Sequence, residues 1–199
     1  LIIISFLTVL GIILVTYNYA EAKKIEAYDY MSGILYKDKK PKKIEIKQEK
    51  KEEVKEEKQI ENKPINEYIG YLNIPKINLN KGFLDINSPN NTVEKNIQVI
   101  EGSDYPDKEK GNLIIAGHSG TGWKAFFNDL YKLEQGDTLI VSFKEHKYIY
   151  KIVNIYQQPK IGQVAIYRNY DRQTLTLITC TNSSDKDQTI YISELKSIE

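Results

Sequence analysis

The stretch from Pro64 to Glu199 reads as an all-β domain, closed as a barrel or packed as a sandwich. Three observations predict this. Short runs rich in Ile, Leu, Val, Tyr and Thr recur along it, and Gly, Asn, Asp and Pro separate them. Only one segment carries apolar residues convincingly at the three- and four-residue spacing of a helix. Its length of about 136 residues is enough to enclose one core.

The elements follow in chain order. From Leu1 to Val15 the sequence is apolar at 12 of 15 positions, and no charge precedes Glu21. Such a stretch belongs in a bilayer, so residues 1–20 are expected to be a membrane anchor. The sequence opens at Leu1 instead of Met, and the complete span is expected to be longer than the part seen. Ala20-Glu21-Ala22 also fits a signal-peptidase site, so a cleaved leader competes with a retained anchor. Retention is preferred, because the stretch runs long for the apolar region of a signal peptide. Orientation cannot be read from charge bias, since Lys23 and Lys24 lie on one side and the other flank is missing.

Residues 21–63 read as a linker. Residues 22–36 could extend a helix, with Gly33 and the approach to Pro41 against it. From Lys37 to Lys63, charged residues fill 19 of 27 positions without an apolar stripe. Nothing there offsets the entropy of ordering, so this is a solvated tether.

Within residues 64–199, strands are predicted at Tyr68 to Ile74, Gly111 to Ala116, Thr138 to Phe143, Lys147 to Tyr156, Leu175 to Cys180 and Gln188 to Leu195. Lys144 to His146 makes a hairpin between the third and fourth. A helix is predicted over Trp123 to Leu133, where Phe126, Phe127, Leu130 and Leu133 would share a face. A second short helix is predicted near Thr92 to Asn96.

Composition excludes several classes of function. Lys plus Arg is 28 against 27 for Asp plus Glu, and no basic stripe interleaves with aromatics, so nucleic acid is not an expected partner. A single cysteine rules out an intrachain disulfide and a cysteine-based zinc cluster. Asp185 and Asp187 are only two carboxylates in a polar turn, where calcium needs about six or more oxygen ligands. No metal or other cofactor is expected.

That single cysteine, Cys180, ends an apolar strand and precedes the polar run Thr181-Asn182-Ser183-Ser184. A thiol at such a rim is open to a substrate, and a nucleophilic thiol needs a base or ion-pair partner. Histidine suits that task. His146 falls in the expected hairpin turn and reads as a solvated surface residue. His118 also follows an apolar strand and precedes Ser119-Gly120-Thr121-Gly122, so it too stands at a strand end opening into a small-residue loop. Cys180 and His118 form a candidate catalytic dyad.

Gly111-Asn112-Leu113-Ile114-Ile115-Ala116-Gly117-His118, followed by Gly136-Asp137 and later by Leu175-Thr176-Leu177-Ile178-Thr179-Cys180, resembles the sortase family. The run Gly70-Tyr71-Leu72-Asn73-Ile74-Pro75 is similar to the family's first strand, so the resemblance covers nearly all of residues 64–199. It implies a closed eight-stranded β-barrel with one or two short helices, preceded by a membrane helix and a tether. It also implies a cell-surface cysteine transpeptidase with its catalytic domain outside the membrane. Its partners would be secreted proteins bearing a Leu-Pro-any-Thr-Gly-like sorting signal and an amine acceptor on peptidoglycan precursor or on a pilin. Cys180 would be the nucleophile, His118 the proton donor to the departing amine, and Ile178 and Thr179 would line the substrate groove.

One position departs from the family pattern. Sortases commonly carry an Arg on the strand after the Cys, and Gln188 stands there in this chain. If the Cys180 and Gln188 strands form a hairpin, Gln188 lies opposite the thiol and its amide could stabilise an oxyanion. Arg168 is the alternative, provided its loop folds over the groove. Arg172 shares strand parity with Cys180 but lies eight residues away, roughly 26 Å of extended chain, and is excluded. Two further readings share these residues: a plain cysteine peptidase, and an anchored peptide-binding domain of weak or no activity.

Overall fold

A computed structural model of the chain describes residues 9–17, 19–20, 23–24, 27, 68–120, 122, 124–184 and 186–199. Among the described residues, one eight-stranded sheet holds the domain together. Its strands are β1 (Gly70–Ile74), β2 (Leu79–Phe83), β3 (Gln98–Val99), β4 (Asn112–Ala116), β5 (Thr138–Phe143), β6 (His146–Pro159), β7 (Thr174–Cys180) and β8 (Asp187–Ile198). The spatial order is β2-β1-β5-β6-β8-β7-β4-β3. Neighbours pair antiparallel throughout, except β4 and β7, which run parallel.

Local sequence explains most of these strands. β5 alternates half-buried and buried residues along Thr138–Phe143, the period-2 pattern of a strand with one face on a core. β7 has buried residues from Thr174 to Thr179 on both faces, as its central place and its parallel partner require. The inward faces meet in one cluster that includes Leu72, Phe83, Ile115, Phe127, Tyr150, Leu175 and Leu177. A smaller cluster of Ile114, Ile178, Ile190 and Ile192 lies on the other face, with Ala116, Tyr156 and Ile166 packed against it.

The barrel closes through side chains. β2 and β3 are the sheet's two edges, and the Asn96 Nδ2 donates to Gly82 O at 2.9 Å across the gap. On β3, Asn91 both accepts the Val99 N–H at 2.8 Å and donates to Val99 O at 2.8 Å, as a neighbouring strand would. Exposed strand edges invite unwanted pairing, and these two asparagines occupy the groups that would do it.

The eight-stranded, nearly closed all-β domain agrees with the sequence-based fold, and several elements correct it. The helix predicted to start at Trp123 does not form over its described part. Residues 124–129 are turns and coil, and only Leu130–Lys132 makes a 3-10 turn. The apolar spacing has a different cause: Phe127, Leu130 and Leu133 are buried, while the backbone finds partners outside any helix. The Phe127 N–H donates to His118 O, and the Asn128 side chain accepts from the Gly120 N–H. Residues 92–96 form a turn, not a helix. Strands β2 and β3 escaped the reading of strand patterns, since Gly82 interrupts one and the other has two residues. β6 runs on to Pro159, and β8 to Ile198.

Near the N-terminus, residues 9–17 are helical. Among the described residues no helix is long and apolar enough to cross a membrane. The expected tether, residues 37–63, lies outside the described residues.

Two buried tyrosines give the domain an alkaline limit. Burial pushes the Tyr150 hydroxyl from 10.0 up to about 12, against a smaller lowering by the Gln173 amide that donates to it. Burial also raises Tyr191 to about 12. Because the folded values exceed the unfolded ones, the stabilisation is complete below pH 10 and drains away as pH climbs toward about 12. Urea midpoints are expected to fall steeply across that window, and less steeply in Tyr150→Phe.

Candidate active site

Two strand ends make the site. β4 and β7 run parallel with Asn112 opposite Thr174 and Ala116 opposite Ile178, so both deliver their C-terminal ends to the same rim. The pairing continues past Ala116, since the Gly117 N–H donates to Ile178 O at 3.1 Å and the Thr179 hydroxyl donates to Gly117 O at 2.9 Å. His118 thus follows two residues after Ala116, as Cys180 follows two residues after its partner Ile178. Ser119 then ties the two segments directly, its hydroxyl donating to the Cys180 carbonyl at 2.8 Å.

The loop bearing His118 is held from behind. The Phe127 N–H donates to His118 O at 2.9 Å, and the Phe127 ring lies against Gly117. A Cβ at Gly117 would come within 2.8 Å of that ring, so any side chain there would push the histidine's neighbour away. Gly120 takes a φ of 134°, where glycine is favoured, as the loop turns toward Asn128. His118 is exposed and Cys180 half-buried. Among the described residues no hydrogen bond joins thiol and imidazole, a separation that substrate binding commonly tightens in acyl-transfer sites.

Across β7, the antiparallel register makes Cys180 and Gln188 Cα partners, and cross-strand partners share a face. Gln188 is half-buried and within side-chain reach of the thiol. The neighbouring Asp187 is engaged, its carboxylate accepting the Ser184 hydroxyl at 2.7 Å. Among the described residues no group of three metal-ligating side chains gathers, and Asp185 lies outside them.

Ile178 stands on the same face as Cys180, with Ile190 opposite it and Tyr156 opposite Ile190. This row forms an apolar floor beside the thiol, and Ile166 from the β6–β7 loop packs over it. Thr179 does not share that floor: it is buried on the opposite face, and its hydroxyl is spent on Gly117 O. It braces the rim and does not line the groove. Arg168 is not brought to the thiol either. Its guanidinium donates to Lys110 O at 3.1 Å, Arg172 O at 3.3 Å and Thr174 Oγ1 at 3.3 Å, and stacks on Tyr170. Thr174 is six residues up β7 from Cys180, roughly 20 Å of strand. His146 opens β6, twelve residues from Gln158, the β6 position level with Cys180.

Sequence reading missed Ser119 and Tyr156, and reached Ile166 only as part of the loop from Gln157 through Asp171, which it expected to shape substrate choice. A hydroxyl directly after a histidine at a strand end was a usable signal for the first. Nothing local marks Tyr156, which reaches the site through long-range pairing with Ile190. The Ser119 bond is testable on its own terms. Ser119→Ala is expected to lower kcat/KM about tenfold by loosening one rim strand from the other, whereas Ser119→Thr retains the hydroxyl and most of the activity.

A thiol, an imidazole and an amide carried to one end of the sheet are the groups that acyl transfer uses. The sortase domain profile matches residues 72–195. Among solved structures, the chain is similar to the Clostridium perfringens sortase D5 transpeptidase, with 27% identity and a TM-score of 0.54 over 66% of this chain and 80% of that one. It is similar to sortase C1 from Streptococcus agalactiae, with 26% identity and a TM-score of 0.56 over 65% of this chain and 68% of that one. Sortase A from Corynebacterium diphtheriae shares the fold, with 19% identity and a TM-score of 0.58 over 66% of this chain and 62% of that one. The sequence matches no curated protein. Because the domain profile spans more than half of its length, the chain belongs to the sortase family, whose members are cysteine transpeptidases.

Proposed function

We propose that this transpeptidase cuts a Leu-Pro-any-Thr-Gly-like sorting signal between Thr and Gly, and joins the new acyl end to an amine of the cell wall or of a pilin. The observation that supports this reading is the parallel β4–β7 register, which ends both strands at one rim, His118 following two residues after Ala116 and Cys180 two residues after its partner Ile178. The apolar floor of Ile178, Ile190 and Tyr156 next to the thiol suits a signal with Leu and Pro upstream of the cut.

The Cys180 thiolate attacks the Thr carbonyl carbon, forming a C–S bond and an oxyanion that the Gln188 amide N–H is positioned to meet. The C–N bond to Gly then breaks as His118 hands its proton to the leaving amine. A thioester is left on Cys180. The acceptor amine adds to this thioester, His118 takes up the amine's proton, and the thiolate departs. Water competes at about 55 M, so positioning the amine is what favours transfer over hydrolysis.

In the same reading, the apolar segment of residues 1–20 anchors the protein in the membrane, residues 21–63 tether it, and the catalytic domain lies outside the cell. Protease added to intact cells should then remove the domain.

The test incubates the protein with fluorescent Leu-Pro-any-Thr-Gly peptides and triglycine, and weighs the products. Ligated peptide is expected. Cleavage at the same rate with and without triglycine would mark a plain peptidase. The replacement of the usual Arg by Gln188 favours one other reading, a weak or inactive peptide-binding domain. That reading requires Cys180 to be inert to a methanethiosulfonate reagent at neutral pH.

A further inference from the structure

One polar group on the face that bears the thiol lacks a partner. Gln158, near the end of β6, is half-buried. Its Oε1 accepts the Ala165 N–H at 3.2 Å. Since a backbone N–H only donates, this bond fixes which end of the amide is oxygen. The other end, Nε2, is buried with no hydrogen-bond partner. Buried donors left unpaired are rare and call for an explanation.

Its place in the sheet supplies one. Gln158 is the Cα partner of Gln188, and Gln188 is the Cα partner of Cys180. Cross-strand partners share a face, so the three side chains form a row across β6, β8 and β7. Two strand spacings separate Gln158 from Cys180, roughly 10 Å. About three residues of extended peptide cover that distance. The Tyr156–Ile190–Ile178 floor lies in the adjacent row. The segment over it is fastened to the sheet by Gln158 itself and by Tyr156, whose hydroxyl donates to Ala165 O at 2.6 Å and accepts the Tyr167 N–H at 3.0 Å.

We propose that Gln158 is a substrate-binding residue whose Nε2 donates to a main-chain carbonyl of the sorting signal, about three residues before the carbonyl that Cys180 attacks. This rests on the sorting-signal reading above. A main-chain carbonyl is the matching acceptor because it is present whatever side chain the signal carries at that point. Because Nε2 is covered in the free protein, the contact forms only as the binding peptide uncovers it; it then persists through the reaction, so its loss falls on recognition and not on the thiol.

The test uses the full chain and two affinity probes, Leu-Pro-Ala-Thr and acetyl-Thr, each ending in a chloromethyl ketone. With either probe the Cys180 thiolate displaces chloride and forms a thioether, so the chemistry is the same and only the reach differs. The wild type is expected to react faster with the longer probe. Gln158→Glu keeps an oxygen for the Ala165 N–H and loses the donor. It is expected to lose about tenfold of the preference for the longer probe, while its rate with the shorter probe stays within about twofold. Gln158→Met, which loses both ends and carries no charge, is expected to show the same loss. Preference retained in both variants would overturn the proposal. So would a parallel fall in the two rates, which would show that Gln158 shapes the thiol's surroundings instead. A wild type with no preference for the longer probe would overturn the sorting-signal reading, and this proposal with it.

Discussion

Cys180→Ala is expected to abolish cleavage and ligation, with a loss on the order of 10⁴–10⁶ in kcat/KM, because no covalent path is left once the nucleophile is gone. The fold should survive the change. Cys180 stands half-buried at the end of β7, and what it gives the rim is its backbone carbonyl, the acceptor for Ser119, which alanine keeps. Circular dichroism and urea midpoints close to wild type would therefore accompany the loss. Cys180→Ser separates shape from chemistry further, since the hydroxyl fits the same space but is a poor nucleophile without a strong base. A Cys180→Ala protein that kept a hundredth of wild-type ligation would remove this residue from the reaction.

His118→Ala is expected to cost a factor of about 10²–10⁴ in kcat, the range for losing a positioned proton carrier. Here too the backbone role persists, because the Phe127 N–H donates to the His118 carbonyl and not to its ring. The side chain is exposed, so its removal leaves an opening that solvent reaches. Added imidazole should restore part of the rate, and no other small molecule of similar size should. Activity within fivefold of wild type, or an absence of rescue together with intact folding, would assign proton transfer to another group.

Much of this site was legible one strand at a time. Cys180 and His118 each follow an apolar strand and precede a polar or glycine-rich loop, and such a boundary predicts a side chain at an open rim. Strand periodicity also bears on Thr179. The two-residue alternation already sets Thr179 with Leu175 and Leu177, the face that proves to be core, so its assignment to the groove contradicted its own parity. The expected helix from Trp123 failed for a different reason. Apolar spacing reports which residues are buried, and Phe127, Leu130 and Leu133 are, but it does not report which partner takes each backbone N–H. Arg168 was beyond reach, since a loop without a motif gives no hint that its guanidinium turns back to Lys110 and Thr174.

By itself, the sequence determined the β texture of the domain, the strand ends that carry sulfur and imidazole, and the face of β7 on which the thiol stands. These are local matters, set by side-chain alternation and by turn-forming residues a few positions apart. Tertiary structure alone decided that β4 and β7, some 62 residues apart in the chain, pair in parallel, and that β6 brings Gln158 level with the Cys180–Gln188 pair that the hairpin already implied. Strand register depends on which buried faces and backbone groups satisfy one another across the whole sheet, and no short stretch of sequence contains that information.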